Sequence, residues 1–533
     1  MKSRAGQRVL RSTAIVSAGT TASRLLGFAR EVLMAVFFGT TLAKSAFDVA
    51  FKIPNLFRRL FGEGALSAAF VPIFAESLEK DGITEANRFA GKIMTMLGVS
   101  LACIVIGGIL LCAAAIKALP LGEKAAAVLP LLVIMLPYLF FICLVALCMG
   151  ILNTFHHFAL PALTPVLLNI AWIAALLFVC PRFGETPAER IYGVAWMILA
   201  AGAVQLAVQI PVLRRFGIRP RLILEWRDRN VGRVLALMGP AALGMGVHQV
   251  NVVIDNLLAL WVGTWAPAAL TYAERLIYLP LGIFATALGT VLLPTFSRQA
   301  ARERPGDIKS TLRKALENLL LIMCPAAVGL MVLAGPVVRL AFVWRGGLFD
   351  IDSTTATARA LIFYGPGLVV FSLYKVLVPV FYALKDTKTP VRVGLVMVAA
   401  NLVMNVAFVL TWPVGYKHAG LACATVLSSA LNVMVLGRIL HRRLGDPGWR
   451  SLLDLGWRTL SASLVMGAAA MTVHRLFISL EQGMMPTKPA DLAALVGAIG
   501  VGMLIYAVLI ALLCRRQAAE IVRRLRGRRS RLP

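Results

Sequence analysis

The sequence predicts an all-α integral membrane protein with fourteen transmembrane helices. Of its 533 residues, 59% are hydrophobic and 15% are charged, whereas soluble domains carry roughly 25% charged residues. The mean hydropathy is +0.81. Apolar stretches long enough to cross a bilayer recur along the whole chain. The connections between them alternate between strongly basic and nearly uncharged segments, which is typical of a multi-pass membrane protein.

Fourteen windows of low charge define the predicted helices. The second window is the weakest, because Lys52, Pro54, Arg58, Arg59 and Glu63 interrupt it. The windows are residues 12–38, 47–75, 93–116, 126–152, 160–180, 191–213, 234–262, 269–297, 315–343, 357–384, 390–412, 418–438, 456–477 and 489–514.

Loop charges set the predicted orientation. The connections after windows six, eight and twelve are rich in arginine and lysine, whereas residues 263–268 and 412–418 carry almost no charged side chains. Basic loops stay in the cytoplasm, so both termini are predicted to be cytoplasmic, as an even number of spans requires. Topology and attraction to anionic phospholipids explain the net charge of +29, and no nucleic-acid partner is expected.

The two halves of the chain repeat each other at an offset of roughly 225 residues. Phe38-Gly39-Thr40 matches Val262-Gly263-Thr264, and Leu160-Pro161 matches Thr389-Pro390. Because a six-helix repeat returns the chain to the same side, the two lobes should be related by a pseudo-two-fold axis along the membrane normal, with two C-terminal helices outside the repeat. The predicted domains are the N-lobe with its basic loop at 1–233, the C-lobe at 234–443, and helices thirteen and fourteen with the basic tail at 444–533.

Cationic side chains are built into the first two predicted helices and into the eighth. Charge within hydrocarbon is costly, so it typically faces a water-filled cavity or a bound ligand. The planar fork of arginine suits phosphate oxygens, which favours a phosphate or diphosphate ligand in a cavity between the two bundles. The candidate substrate-binding residues are Arg24, Arg30, Lys52, Arg58, Arg59 and Arg275, with the carboxylates Asp48 and Glu63.

A structural interpretation of the same charges stays open. Asp48 and Lys52 are four residues apart, as are Arg59 and Glu63, and such residues are neighbours on a helix. Ion pairing of this kind, with snorkelling of Arg58 and Arg59 towards the cytoplasm, would also account for the charges.

The second half of the chain carries a different set of polar groups. Asp255, Asn401 and Asn405 could hold a monovalent cation, although hydrogen bonding between helices is the commoner role of asparagine in membranes. No phosphate-binding loop, nucleophile elbow or zinc motif is present, which favours a transporter over an enzyme. No cofactor is expected, and Na⁺ or the membrane potential would supply the energy.

Two motifs in the first two helices carry a resemblance to a known family. They are Ser23-Arg24-Leu25-Leu26-Gly27-Phe28-Ala29-Arg30-Glu31 and Ala50-Phe51-Lys52-Ile53-Pro54-Asn55-Leu56-Phe57-Arg58-Arg59-Leu60-Phe61. Both strongly resemble the MurJ (MviN) family, the bacterial lipid II flippases of the multidrug/oligosaccharidyl-lipid/polysaccharide exporter superfamily. The resemblance extends along the chain, through Glu274-Arg275-Leu276 and beyond.

This resemblance implies transport of lipid II, the undecaprenyl-diphosphate-linked peptidoglycan precursor, from the inner to the outer leaflet of the bacterial cytoplasmic membrane by alternating access. It implies functional roles for Arg24, Arg30, Arg58 and Arg275, and a groove for the lipid tail at helices thirteen and fourteen. It also adds Thr425 to the candidate cation ligands. Cell-wall synthesis and division machinery is an expected partner.

The chain departs from the family pattern at two positions. Ser45 stands where the family usually has an acidic residue, and Asn405 stands where members with a proposed sodium site have a second carboxylate. The alternatives to lipid II transport are a flippase for another polyprenyl-linked glycan and a cation-coupled drug exporter, whose site would favour carboxylates over arginines. A scaffold for cell-wall enzymes stays open beside transport.

Overall fold

The computed structural model describes residues 2–62, 65–219, 221–225, 228–480 and 488–514, and every regular element in these ranges is helical. Short π-helical turns follow α2, α6 and α9, at Arg58–Gly62, Ala175–Val179 and Leu281–Ala285. The α-helices are α1 (Lys2–Phe38), α2 (Leu42–Phe57), α3 (Ala65–Lys80), α4 (Gly82–Ala118), α5 (Glu123–Thr154), α6 (Ala159–Ala174), α7 (Pro187–Arg215), α8 (Arg229–Val262), α9 (Ala266–Pro280), α10 (Thr286–Ala301), α11 (Pro305–Val332), α12 (Ala334–Phe342), α13 (Ile351–Tyr364), α14 (Gly367–Ala383), α15 (Lys388–Thr411), α16 (Lys417–Leu444), α17 (Trp449–Leu480) and α18 (Lys488–Leu513).

Nine helical segments in the described ranges are long and apolar enough to cross a membrane, and the pair α13 and α14, bent by 43° at its break, would make a tenth. This confirms the predicted all-helical membrane protein. Predicted windows two and eight fall on interrupted helices, α2 with α3 and α9 with α10. Pro280 directly precedes the second interruption, where its missing N–H and its ring disturb the helical ladder. The count of fourteen spans stays a prediction.

The first compact unit comprises residues 1–268 and 344–349. Its central helix is α5, which packs against α2, α4 and α7. In the apolar window of α5, 67% of the residues are buried, because neighbouring helices pack against several of its sides. Gly202 of α7 lies against the ring of Tyr138, where an added Cβ would be 2.7 Å from Cδ2. Small residues of this kind let membrane helices approach closely.

The short segment 344–349 belongs to the first unit although the chain on both sides of it belongs to the second. Leu348 donates its backbone N–H to the carbonyl of Val36 at 2.9 Å. Gly39 sits at the end of α1 with a φ of +52°, and an added Cβ would lie 2.3 Å from the Leu348 carbonyl oxygen. Only glycine fits this left-handed, closely packed position without strain.

The second compact unit comprises residues 269–343 and 350–533. Within it α14 packs against α10, α11 and α16, while α17 packs against α11 and α18 against α17. Gly467 of α17 faces Val328, where an added Cβ would be 2.9 Å from Cγ1. The Tyr506 hydroxyl donates to the carbonyl of Leu321 at 2.7 Å. The two C-terminal helices are therefore fastened to α11.

These two units differ from the three predicted domains, since the second unit includes residues 444–533 and the first includes 344–349. Residues 234–262 were assigned to the C-lobe, but α8 groups with the first unit, where it packs against α2 and α3. The predicted lobes follow the sequence repeat and the units follow contacts, so the domain boundaries stay predictions.

The loop between α7 and α8 is held by ion pairs. Lys92 of α4 is 6% exposed and lies 2.6 Å from Glu225 and 2.7 Å from Asp228. Arg88 also contacts Glu225, at 2.7 Å. Hydrogen bonds from Lys92 and Arg88 lower the pKa of Glu225. Asp228 in turn accepts from the backbone N–H groups of the first turn of α8, which satisfies donors that a helix start leaves open.

Candidate functional site

Arg30 lies on α1 and is held by three neighbours. Only 8% of the residue is exposed. Its guanidinium donates to Glu31 Oε1 at 2.6 Å and to Asn169 Oδ1 at 3.1 Å. Its Cζ atom stands 4.0 Å from the ring centroid of Trp172, a separation typical of a cation–π contact. Both charges of the pair are buried, and hydrogen bonds fix the direction of the guanidinium.

Asn169 and Trp172 of α6 supply this setting from one helix face, since they are three residues apart. The Asn169 amide donates to the Ser23 carbonyl at 3.0 Å, which ties α6 to α1. Gly27 of α1 faces the Asn169 side chain, where an added Cβ would be 3.8 Å from its terminal atoms. The Trp172 indole N–H donates to the sulfur of Met34 at 3.3 Å. Arg30 is thus part of the packing between α1 and α6.

Arg24 has a different environment on the same helix. It is exposed, and in the described part of the chain it has no ion pair or hydrogen bond. Six residues separate Arg24 from Arg30, a turn of about 600° on a helix with 3.6 residues per turn, so the two side chains point in different directions. Arg24 is therefore able to meet an external anion, whereas Arg30 already has a carboxylate partner.

Asp48 of α2 pairs with a residue that the sequence analysis did not select. Lys44 Nζ lies 2.6 Å from Oδ1 of Asp48, and the two residues are 1% and 8% exposed. They are four apart, as neighbours on a helix face must be. Lys52, the partner suggested by the sequence, is half-buried on the following turn. Asp48 therefore belongs to a buried ion pair with Lys44.

Ser45, one of the departures from the family pattern, is fully buried. Its Oγ accepts a hydrogen bond from the backbone N–H of Ala268 at 3.3 Å. Ala268 lies in the first turn of α9, whose N–H groups lack partners within the helix. At this position the neutral hydroxyl of Ser45 therefore joins α2 to the start of α9 by a hydrogen bond.

Arg58 and Arg59 begin the π-helical turn after α2. Arg58 Nε donates to Asn55 Oδ1 at 2.8 Å and the side chain is half-buried. Arg59 is exposed, and its guanidinium lies 3.4 Å from Gln249 Oε1 of α8. The predicted partner of Arg59, Glu63, lies outside the described residues. π-Helical turns of this kind are frequent at functional sites.

Arg275 lies on α9 in the second unit, five residues before the break at Pro280. It is exposed, whereas its neighbour Glu274 is half-buried. Arg275 has an interaction partner within the chain, so an anion would compete with that contact. Arg275 thus lies on a short helix that a π-helical turn interrupts, as α2 is interrupted in the first unit.

The candidate cation ligands lie in both units. In the first, Asp255 accepts from the amide of Asn251 at 3.2 Å. In the second, Asn405 donates to Asn401 at 3.0 Å and Asn401 donates to Ser428 Oγ at 3.3 Å. Ser428 belongs to α16, so these contacts include a hydrogen bond between α15 and α16 of the kind expected for membrane asparagines.

Thr425 completes the candidate cation set. Its hydroxyl donates to the carbonyl of Leu421 on its own helix at 3.0 Å. Ser428 links Asn401 to Thr425, since it accepts from Asn401 and donates to the Thr425 carbonyl at 3.0 Å. The structure brings the three second-unit candidates onto two adjacent helices and shows their hydrogen bonds.

A family model described as "Lipid II flippase MurJ" matches residues 34–487. The chain belongs to the MurJ family. A lipid II flippase MurJ of Burkholderia cenocepacia is 36% identical over 502 residues, which cover 92% of this chain and 94% of the relative. A probable lipid II flippase MurJ of Rhizobium tropici is 37% identical over 475 residues, or 86% of each chain. The resemblance carried by the two arginine-containing motifs is confirmed.

Solved structures agree with this assignment. A structure of a lipid II flippase MurJ in an inward closed conformation is similar with a TM-score of 0.76 and 26% identity, over 94% of this chain and 99% of that one. A MATE-family multidrug transporter of the MOP superfamily in an inward-facing conformation has a TM-score of 0.63 at 16% identity, over 80% and 95% of the two chains. The MATE similarity shows a shared fold. The chain is thus a multi-pass membrane protein of a transporter family.

Proposed function

We propose that this chain moves lipid II from the inner to the outer leaflet of the bacterial cytoplasmic membrane. Membership of the MurJ family, over residues 34–487, carries this proposal. The relatives are named lipid II flippases, and the two motifs that resemble the family contain arginines in this chain. The substrate's diphosphate supplies the negative charge that exposed intramembrane guanidinium groups would bind.

The proposed topology has fourteen spans in two six-helix lobes, with two further helices and both termini in the cytoplasm. Alternating access between inward and outward states would carry the head group across while the prenyl tail stays in lipid. The basic loops and tail would attract anionic phospholipids, and the cell-wall synthesis and division machinery would supply and consume lipid II. These parts of the proposal rest on the sequence pattern and on the family.

Among the candidate arginines we assign direct contact with the diphosphate to Arg24, Arg58 and Arg275. Arg24 is exposed, and in the described ranges nothing in the chain competes for it. Lys52 and Arg59 would extend the positive field, while Glu63 and Asp48 would balance it. Arg30 is held by Glu31 and Asn169, so its proposed role is to position α1 against α6.

Energy coupling is proposed to come from the membrane potential, or from Na⁺ held by Asp255, Asn401, Asn405 and Thr425. Each elementary charge that crosses the full field contributes about 2.3 kcal/mol per 100 mV. An empty carrier with net positive charge in its membrane-spanning helices would be returned to its inward state by a potential that is negative inside. Dissipating the potential at constant Na⁺, and removing Na⁺ at constant potential, distinguish the two sources.

The central experiment replaces Arg24. In cells depleted of the wild-type protein, Arg24→Gln should fail to support growth, and lipid II should accumulate in the inner leaflet because the exposed charge that binds the diphosphate is missing. Arg475→Gln is the matched control, since Arg475 is exposed on α17 and, among the described residues, has no ion pair. Normal lipid II export by Arg24→Gln at wild-type abundance would contradict the proposal. Accumulation of another lipid-linked glycan would show a different substrate.

Arg30 is tested separately by removing its charge together with that of Glu31. Replacing a buried ion pair by apolar residues is often neutral for stability, whereas removing one partner is costly. The double variant Arg30→Met/Glu31→Leu should therefore reach wild-type abundance and export lipid II. A folded double variant without export would place Arg30 among the groups that bind the diphosphate.

A further inference from the structure

A groove of about 790 Å³ lies in the second unit, between α11, α14, α16 and α17. Aliphatic side chains dominate its walls, among them Leu316 of α11, Leu377 of α14 and Leu452 of α17. Its volume falls within the roughly 300–1,000 Å³ typical of small-molecule sites. No residue of α18 lines it, so it differs from a tail groove formed by the two C-terminal helices.

One end of this groove is basic. Arg438, His441 and Arg442 of α16 line it and are exposed, and their spacing of three and four residues places them on one helix face. His441 lies 4.0 Å from Asp446. In the described ranges, neither Arg438 nor Arg442 has a carboxylate partner within 4.0 Å. The groove therefore ends in two uncompensated guanidinium groups.

Arg443 follows Arg442 on the same turn of α16 and, unlike it, has a carboxylate partner. Its guanidinium contacts Asp386 at 2.5 Å and donates to Thr389 Oγ1 at 3.2 Å. Hydrogen bonds from Thr389 and Arg443 lower the pKa of Asp386 to about 2. Arg443 does not line the groove. Arg443, which does not line the groove, is thus neutralised by Asp386, whereas Arg438 and Arg442, which line it, have no carboxylate partner in the described ranges.

Two tryptophans of α17 also line the groove. Trp449 packs against Gly437, where an added Cβ would be 3.4 Å from the indole ring. Trp457 is 70% exposed. Indole rings favour the boundary between hydrocarbon and polar head groups. Apolar walls, indole rings and two arginines suit the acyl chain, the glycerol region and the phosphate of a membrane lipid.

We propose that this groove binds an anionic glycerophospholipid, with one acyl chain between α16 and α17 and the phosphate between Arg438 and Arg442. Charge complementarity selects an anionic lipid, because two arginines without partners would not be matched by a zwitterionic head group. Arginine also offers bidentate geometry to phosphate oxygens. This site is independent of the proposed transport of lipid II, since none of its residues belongs to the proposed diphosphate-binding set.

The test measures binding of phosphatidylglycerol and phosphatidylethanolamine to the full-length protein by native mass spectrometry. The wild type should bind phosphatidylglycerol about 25-fold more tightly than phosphatidylethanolamine, since each of the two arginines strengthens attraction to anionic lipid by a factor of about five. The variant Arg438→Gln/Arg442→Gln should lose this preference. The control Arg214→Gln/Arg215→Gln removes two exposed charges from the end of α7 and should keep it.

A groove-filling variant tests the position of the acyl chain. Gly456 lines the groove, and an added Cβ there would meet only Leu320 Cδ1, at 3.9 Å. Gly456→Leu should therefore fold, as its unfolding temperature will show, and should weaken the binding of both phospholipids. Unchanged binding by this variant, or a retained preference in the double arginine variant, would overturn the proposal. Displacement of phosphatidylglycerol by equimolar undecaprenyl phosphate would assign the groove to the transported lipid and also overturn it.

Discussion

The two compact units bury polar side chains in different ways. Among the described residues, the buried charged side chains, Arg30, Glu31, Lys44, Asp48 and Lys92, all belong to the first unit. The buried polar side chains of the second unit are asparagine, serine, threonine and histidine. If the halves descend from one duplicated six-helix unit, as the sequence repeat suggests, only the first has kept or acquired buried charged side chains among the described residues.

This difference has an energetic meaning. A buried ion pair is costly to break, because removing one partner strands a charge away from water. A hydrogen bond between neutral side chains in a membrane protein contributes little, since each group finds other partners when the bond is lost. The first unit should therefore tolerate polar substitution less well than the second.

The largest effect is expected at Lys44. Lys44→Met leaves the Asp48 carboxylate buried without its 2.6 Å partner and should cost about 3–5 kcal/mol of folding free energy. Thermal unfolding of the purified protein in detergent measures this loss. The double variant Lys44→Met/Asp48→Leu should recover most of it, because no charge is then stranded. If Lys44→Met and Lys44→Met/Asp48→Leu are equally stable, a stranded Asp48 charge has no cost, and the proposed energetic difference between the first and second units is wrong.

An intermediate effect is expected at Lys92, which joins α4 to the loop before α8. Lys92→Met should lower the unfolding temperature by about 2–4 °C at pH 7, because Glu225 and Asp228 lose a shared donor. The pKa of each carboxyl is lowered in the folded protein. Their contribution is therefore fully present above the unfolded values near 4 and is lost as the pH falls from there through the lower folded values. The variant and the wild type should therefore converge at acidic pH.

The exposed pair of Lys80 and Glu76 provides the control for Lys92. Lys80 lies 3.0 Å from Glu76, but its side chain is 71% exposed, and solvent screens exposed ion pairs so that they contribute little to stability. Lys80→Met should leave the unfolding temperature nearly unchanged at every pH. A gap between Lys92→Met and the wild type that persists unchanged below pH 4 would show that packing, and not charge, explains the effect.

The smallest effect is expected at Asn401 in the second unit. Asn401→Leu removes the hydrogen bonds to Ser428 and Asn405 and should cost about 0.6 kcal/mol, with an upper limit of about 1.7 kcal/mol. The same unfolding measurement applies. A loss as large as that of Lys44→Met would remove the contrast between the units and would indicate a cation held by these amides.

The sequence predicted the membrane class and the family because both depend on local patterns. Apolar windows, loop charges and the motif from Ser23 to Glu31 can be recognised without knowing which helices touch. The interruptions at windows two and eight were harder to foresee. Pro280 indicates the second, but a π-helical turn depends on packing and has no short sequence signature.

The partners of the candidate residues could be predicted only in part. Asp48 has lysines one turn away on either side, at Lys44 and Lys52, and spacing alone does not choose between them. The structure places Lys44 on the fully buried face of α2. Arg30 was recognised as an intramembrane cation, but Asn169 and Trp172 are distant in sequence. The sequence shows that Asn169 and Trp172 are three residues apart on an apolar helix and so share a face. This spacing does not reveal which other helix that face contacts.

The segment 344–349 has a consequence for biosynthesis. The hydrogen bond from Leu348 to Val36 and the close approach at Gly39 cannot form until the ribosome has added residues 269–343, which belong to the other unit. Domains usually fold in the order in which they emerge during translation. The first unit therefore cannot finish folding until residues 344–349 have been synthesised. A fragment that stops at residue 268 should insert into the membrane but lack the hydrogen bond from Leu348 to Val36.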